Sequence, residues 1–222
     1  MCLILFSYDT HPIYRMVLAA NRDEYYSRPT APAAFLDNSP NILGGLDLKH
    51  HGMWLGITRT GRFAAITNFR DPGLDMPDAP SRGFLVKDFL LGKESPQTYL
   101  KAIKSVGDQY NGFNLLVGNS RDLFYFSNRG SLIHRFEPGI YGISTSLLGT
   151  RWPKIEKGKA GMAARISDAR ELDPEDFFQI LEDRSFPPDE DIPSTGLARD
   201  WERTLSPLFI ESDTYGTRSS SV

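Results

Sequence analysis

The fold turns on residues 2–24, CLILFSYDTHPIYRMVLAANRDE. The run 2–8 (CLILFSY) is short, apolar and uninterrupted, which reads as a buried strand at the start of the chain. A turn follows at 9–12, and residues 14–20 (YRMVLAA) read as the hairpin partner. The polar run Asn21-Arg22-Asp23-Glu24 closes that second strand. Side chains alternate along a strand, so Asn21 and Asp23 share a face. In an antiparallel pair the end of the second strand lies beside the start of the first. The hairpin therefore returns Asn21 and Asp23 to the neighbourhood of Cys2.

Cys2 is the one cysteine among 222 residues. It can form no internal disulfide and is too few for a thiolate metal cluster. If Met1 is removed, Cys2 carries a thiol and a free α-amine on one residue. The amine titrates at about pH 8 and the thiol at about 8.5, so a proton passes between them close to neutrality. That is the self-contained nucleophile and base of N-terminal-nucleophile catalysis. An Asp23 carboxylate beside it would accept a hydrogen bond from the ammonium and fix its orientation. The plainer alternatives are a cysteine packed as a small apolar residue and a charged run that is a solvated turn.

Working outward, residues 27–45 are rich in Pro, Ala, Asn and Gly and read as a loop. Residues 53–58 and 62–69 form the clearest hairpin, turning at Thr60-Gly61. Residues 82–91 read as a helix capped by Ser81 and ended by Gly92. Ser95 and Pro96 open a second helix to about Val106. Four short strands at 114–118, 123–127, 132–136 and 140–144 look like an antiparallel meander. Residues 154–166 read as a helix, and Asp173-Pro174 starts another with Phe177, Phe178 and Leu181 facing inward. The acidic, Pro-containing stretch 184–200 reads as a surface excursion. Residues 205–211 and 217–222 read as a last strand pair. Strands, helices, strands, helices, strands is not a regular β-α-β alternation, which disfavours a doubly wound parallel sheet. The pattern predicts an α+β fold: a four-layer αββα sandwich of two antiparallel sheets, as a single domain over 1–222.

Charged residues make up 24% of the chain and the net charge is −3. Lys and Arg are scattered, so no basic field exists to hold a nucleic-acid backbone. No apolar run approaches the roughly 18 residues of a membrane span, and the apolar start at 2–6 is too short for a signal peptide. With no disulfides, these features predict a cytoplasmic protein without a transmembrane segment. The four histidines show no HxH, HExxH or Cys/His spacing, so no metal site is expected. Haem needs only one axial His or Cys and no fixed spacing; no cofactor is required, and haem stays open as a bound ligand. GxSxG, P-loop and GxGxxG motifs are absent.

Two further segments carry candidate chemistry. Thr67-Asn68-Phe69 closes the long hairpin, where Asn68 can supply donors to a developing oxyanion or simply satisfy its own turn. The tail 215–222 (YGTRSSSV) has the composition of a frayed end. The strand-like and turn-like residues before it allow instead a final strand with Arg218 facing inward.

These residues resemble the NRDE family, whose eukaryotic members are transport and Golgi organization protein 2. The resemblance is carried by Cys2 and Asn21-Arg22-Asp23-Glu24, by GMWLGIT at 52–58 and GRFAAITNFR at 61–70, and by SRG at 81–83, GFNLL at 112–116 and YGTRSS at 215–220. It spans essentially the whole chain. The family in turn looks like N-terminal-nucleophile hydrolases of the choloylglycine hydrolase and penicillin acylase type, which implies the same αββα sandwich. By this resemblance Cys2 is the nucleophile, Asp23 contacts its amine, and Asn68 contributes to the oxyanion hole. Arg218 corresponds to a late strand arginine. Two positions depart from the hydrolases. Ala20 stands where they carry an arginine, and residues 142–146 (GISTS) offer hydroxyls where they place a second oxyanion asparagine.

Two functions follow as expectations. In the first, Cys2 attacks an amide, ester or thioester carbonyl of an apolar acyl substrate, with Asp23 and Asn68 as the other catalytic residues. In the second, the family's links to haem trafficking and to lipid or acyl-CoA homeostasis imply a carrier of a small hydrophobic, partly anionic ligand. Asn21, Arg22, Trp54, Phe69 and Arg218 are the expected ligand-binding residues, although Trp54 and Phe69 also read as ordinary core.

Overall fold

The computed structural model describes residues 2–167 and 171–222. Met1, whose removal the sequence raises, lies outside the described residues. In chain order the strands are β1 (Cys2–Tyr8), β2 (Met16–Tyr25), β3 (Ala34–Leu36), β4 (Ser39–Leu46), β5 (Met53–Thr58), β6 (Phe63–Asn68), β7 (Phe113–Gly118), β8 (Leu123–Ser127), β9 (His134–Arg135), β10 (Gly139–Ile143) and β11 (Tyr215–Ser221). The helices are α1 (Gly83–Leu91), α2 (Pro96–Val106), α3 (Pro153–Ile166), α4 (Pro174–Leu181) and α5 (Arg199–Thr204). The fold is α+β with two antiparallel sheets, as the order of elements predicts. The chain divides into two compact units: Met1–Ser27, Arg70–Pro72 and Glu137–Val222 form the first, and Arg28–Phe69 with Gly73–Phe136 the second. Among the described residues no helix is long and apolar enough to cross a membrane.

In the first unit the sheet order is β10-β1-β2-β11. Every residue of β1 is buried, which is why its apolar run does not alternate with polar residues. Leu3, Leu5 and Ala19 pack against Ile155, Met162, Phe177 and Leu181 of α3 and α4, each buried Leu contributing about 2 kcal/mol. Gly158 lets α3 approach closely, since a Cβ there would lie 2.5 Å from Leu5 Cδ1. α3 and α4 both start with Pro at the first helical position, and Asp173 caps α4 by accepting from Glu175 N–H.

Two strand expectations, at 205–211 and 140–144, are corrected in this unit, while the polar run 21–24 forms the last part of β2, as strand alternation predicts. β11 pairs along that stretch, with Tyr215 opposite Tyr25 and Thr217 opposite Asp23, so the polar residues' backbone groups are satisfied on both sides. Residues 205–211 form no strand; Glu211 makes only an isolated bridge to Gly216, because β11 takes β2 as its partner. Residues 140–144 do not continue the meander. β10 pairs with β1, Ile143 opposite Ile4, after Pro138, which lacks the N–H that a ladder needs.

The second unit is a meander in the order β3-β4-β5-β6-β7-β8-β9. Ile42, Met53, Ala64, Leu115 and Phe124 of the sheet share a core with Leu85, Val86, Phe89, Leu100 and Ile103 of α1 and α2. The expected loop at 27–45 contains β3 and β4, with Phe35 opposite Leu43. Its Pro, Asn and Gly content masks the pattern, and such residues are tolerated near a sheet edge. Ser95 caps α2 through Thr98 N–H at 3.1 Å, as expected. Ser81 does not cap α1 with its side chain: the N-cap is Arg82 with no side-chain bond, and Ser81 contributes only its carbonyl, to Phe84 N–H.

Gly52 and Gly83 meet backbone to backbone. A Cβ on Gly83 would lie 2.8 Å from Met53 N, and one on Gly52 would lie 2.8 Å from Gly83 Cα. Backbone atoms cannot rotate aside, so Gly83→Ala is expected to cost about 1–3 kcal/mol. A lowered urea midpoint would report it.

Candidate active site at Cys2

The strand register decides what surrounds Cys2. Cys2 lies opposite Arg22, and Leu3 opposite Asn21. Directly opposed residues share a sheet face, so Cys2 and Arg22 share one face while Leu3, Asn21 and Asp23 share the other. Arg22 is therefore the residue directly across from the cysteine. Asp23 reaches Cys2 through its backbone, which hydrogen-bonds the thiol. Ser144, just past β10, donates its hydroxyl to the Cys2 carbonyl at 3.0 Å. Ser144, from the hydroxyl-rich stretch 142–146, thus secures the backbone of Cys2.

Cys2 is 8% exposed. Burial pushes its thiol up, and the Asp23 carboxylate adds to this, while the Asp23 backbone bond and the Arg22 guanidinium pull it down. Asp23 is 2% exposed and accepts from Thr217 Oγ1 at 2.7 Å. Burial pushes its carboxyl up; Lys154, the Thr217 hydroxyl and Arg22 hold it back. Tyr215 donates to the Asp23 carbonyl at 3.0 Å, so β11 clamps this residue by both side chain and backbone.

Asn21 is buried and engaged within the unit. Its Nδ2 donates to Leu181 O at 2.9 Å and Leu208 O at 3.0 Å, and its Oδ1 accepts from Ser220 at 2.7 Å. It joins the sheet to the end of α4 and to the irregular 205–208 stretch. Arg22 is 6% exposed. Its Nη2 lies 4.0 Å from Glu24, and its Nη1 is buried with no hydrogen-bond partner among the described residues. Arg218 does not face inward. It falls in a bulge between Thr217 and Ser219, which turns its guanidinium to the carbonyls of Tyr25 and Tyr26 at 2.9 and 3.1 Å.

Asn68, Trp54 and Phe69 belong to the second unit. Asn68 ends β6 opposite Phe113, half-buried. Trp54 packs against the helix-facing core, and Phe69 N–H donates to Gly112 O at 2.8 Å.

The first unit also holds charged residues that the sequence did not single out. Arg70, Trp152, Lys154, Glu202, Leu205 and Ser206 line a small pocket. Arg70 Nη1 bonds Glu202 Oε2 at 2.5 Å, and the Arg70 guanidinium lies 4.7 Å over the Trp152 ring. Lys154 is 4% exposed and donates from Nζ to Leu205 O at 2.9 Å. Burial pulls its ammonium down to about 8, with Asp23 opposing the shift. Nothing local in sequence marks these groups. Lys154 reads only as the start of a helix, and Glu202 lies just past the acidic stretch 184–200; tertiary contacts bury them.

The profile of the family described as Transport and Golgi organisation 2 matches residues 1–222. A relative from Bos taurus, Transport and Golgi organization protein 2 homolog, is 37% identical over 245 residues, covering 100% of this chain and 87% of the relative. The Homo sapiens homolog is 34% identical over 244 residues with the same coverage. Among solved structures, a Caenorhabditis elegans N-acylethanolamine-hydrolyzing acid amidase ortholog superposes with a TM-score of 0.52 at 8% identity. That match covers 82% of this chain and 86% of the other. At such identity the likeness concerns the fold, that of N-terminal-nucleophile hydrolases. With its profile matched from end to end, the chain belongs to the Transport and Golgi organisation 2 family.

Proposed function

We propose that this protein is a cysteine acyl-transfer enzyme of the N-terminal-nucleophile type, acting on an amide, ester or thioester with an apolar acyl group. The observation that carries the reading is the meeting of Cys2, Asp23 and Arg22 at the buried ends of β1 and β2 in a fold of this class. When processing makes Cys2 the first residue, its α-amine takes the thiol proton and Asp23 orients that amine. Sulfur attacks the carbonyl, and a C–S bond forms. The carbon–heteroatom bond breaks, and the proton passes from the amine to the leaving group. Water then cleaves the acyl-cysteine thioester by the same route, with the amine as base. Asn68 is assigned to the oxyanion by family resemblance. Arg22 Nη1 is a free buried donor for the oxyanion or for an anionic part of the substrate. A cytoplasmic setting, which keeps a thiol reduced, is part of the proposal.

Mass spectrometry after exposure to a long-chain acyl thioester tests it. Protein that begins at Cys2 is expected to carry the acyl mass on its N-terminal peptide and to release the free acid. Protein that retains Met1 is expected to do neither. Absence of both adduct and acid from the processed form rules the reading out.

A second reading, a carrier of haem or acyl-CoA in the same site, draws on the burial that pushes the Cys2 thiol toward its neutral form. Stoichiometric binding of either ligand by Cys2→Ala protein in calorimetry is its expected signature, and no heat at tens of micromolar ligand excludes it.

A further inference from the structure

We propose that Arg22 forms an anion subsite beside Cys2 and holds a carboxylate that the substrate carries within a bond or two of its scissile carbonyl. The proposal rests on the acyl-transfer reading of Cys2 and narrows its substrate class.

Arg22 stands directly across from Cys2 in the β1–β2 ladder. Directly opposed residues share a face, with Cβ atoms about 4.5–5.5 Å apart. The rest of this face supplies little negative charge. Across β11 the partner of Arg22 is Ser219. The next row along the face is Ile143, Ile4 and Ala20, and the row after it is Tyr141, Phe6 and Leu18. Glu24 shares the face by strand alternation. It stands 4.0 Å from Arg22 Nη2, beyond the roughly 2.7–2.9 Å of a charge-assisted hydrogen bond. Its Oε1 accepts from the Tyr25 N–H at 2.9 Å. Asp23 lies on the opposite face, where it accepts from Thr217. The Cys2 thiol is no counter-charge at rest, because burial pushes it toward its neutral form.

Arg22 is nonetheless 6% exposed, and its Nη1 is buried with no hydrogen-bond partner among the described residues. A buried cation without a matched anion is costly, so the resting site has an unmet demand for negative charge. The shape of the demand is specific. A guanidinium offers parallel N–H donors in a planar fork, which a carboxylate fills with its two oxygens. Nη1 has no partner and Glu24 stands off from Nη2, so both nitrogens have donors to give. Because Arg22 is one strand spacing from Cys2, the carboxylate it takes lies close to the carbonyl under attack. A charge carried far along a leaving group does not reach it.

The single cysteine supplies a site-specific probe that needs no turnover. Iodoacetate and iodoacetamide both alkylate the thiolate, sulfur displacing iodide from carbon. They differ in carrying a carboxylate or an amide next to that carbon. The ratio of their rates cancels the thiolate population and leaves the effect of the anion. The α-amine, where present, is common to every sample. For the folded wild type, the iodoacetate-to-iodoacetamide ratio is expected to exceed that of the same chain unfolded in urea by roughly tenfold. Arg22→Met should bring the ratio down to the unfolded value. Arg22→Lys, which keeps the charge without the fork, should fall between. A folded wild-type ratio within about twofold of the unfolded one overturns the proposal, and so does failure of both reagents to label the folded chain. A natively folded Arg22→Met protein that keeps the wild-type ratio overturns it as well. If that variant does not fold, the comparison of wild type with its own unfolded chain decides alone. Because alkylation proceeds without turnover, failure of the enzyme reading shows separately, as an absent acyl adduct.

Discussion

Cys2→Ala is expected to remove acyl-transfer activity by a factor of roughly 10⁴ or more, the scale seen when the nucleophile of a concerted set is deleted. The loss follows from bond-making: without Sγ there is no atom to form the acyl intermediate, and the remaining groups can only bind. Folding should survive. The interaction that fixes residue 2 is between Ser144 Oγ and the Cys2 carbonyl, which belongs to the backbone and persists in the variant. The register with β2 is likewise a main-chain ladder. The sulfur's packing and its hydrogen bond with the Asp23 backbone are lost, which together cost on the order of 1–2 kcal/mol. Cys2→Ser is the informative companion. Its hydroxyl keeps the shape but ionises far less readily than a thiol, so activity should fall well below wild type while still exceeding that of the alanine variant. Unfolding curves and acyl-thioester turnover measured on the same samples check both halves. A natively folded Cys2→Ala protein that keeps a tenth or more of wild-type turnover would sink the nucleophile assignment.

What the sequence reveals and conceals has a physical logic. β1 is legible because a seven-residue apolar run has few fates, and its hairpin with β2 follows from the short turn. Ser95-Pro96 announces α2 because capping is a local interaction between a side chain and an N–H three residues on. Strand pairing and alternation, both local rules, place Asp23 beside the start of β1. Alternation also forecasts that Asn21 goes with it, and Asn21 does share its face. What alternation cannot supply is the partner strand: β11 arrives from 192 residues away to clamp Asp23, and it embeds the polar run inside the sheet. The switch of β10 from the meander to β1 is non-local in the same sense, since a five-residue strand fits either sheet equally. Lys154, Arg70 and Glu202 stay hidden for a sharper reason. Charged residues read as solvated by default, and here burial is imposed by α3, α5 and residues 205–208 together.

Glu202→Ala is expected to destabilise the protein by about 3–5 kcal/mol, the cost of leaving one member of a buried ion pair without its partner. Glu202 is 2% exposed and uses both carboxylate oxygens. Oε2 receives Arg70 Nη1 at 2.5 Å, and Oε1 receives the Thr195 N–H and hydroxyl. Removing it takes the carboxylate from the Arg70 guanidinium, whose side chain is 5% exposed and which lies over the face of Trp152. Cation–π attraction contributes about 2 kcal/mol when desolvated, less than the carboxylate it would have to replace. Burial already works against the Arg70 charge, and Glu202 is the largest effect opposing it. The damage also reaches the backbone, because the Thr195 N–H loses its acceptor. Glu202→Gln keeps an acceptor but loses the charge, so its cost should fall between wild type and alanine. Replacing both partners with Met removes the buried cation as well and should recover much of the loss. Urea denaturation of the four proteins measures each step of this cycle. A cost under about 1 kcal/mol for Glu202→Ala would mean that the pair behaves as a solvent-screened surface bridge. Arg70 would then have to find water, and the pocket that it shares with Lys154 would have to be open enough to admit it.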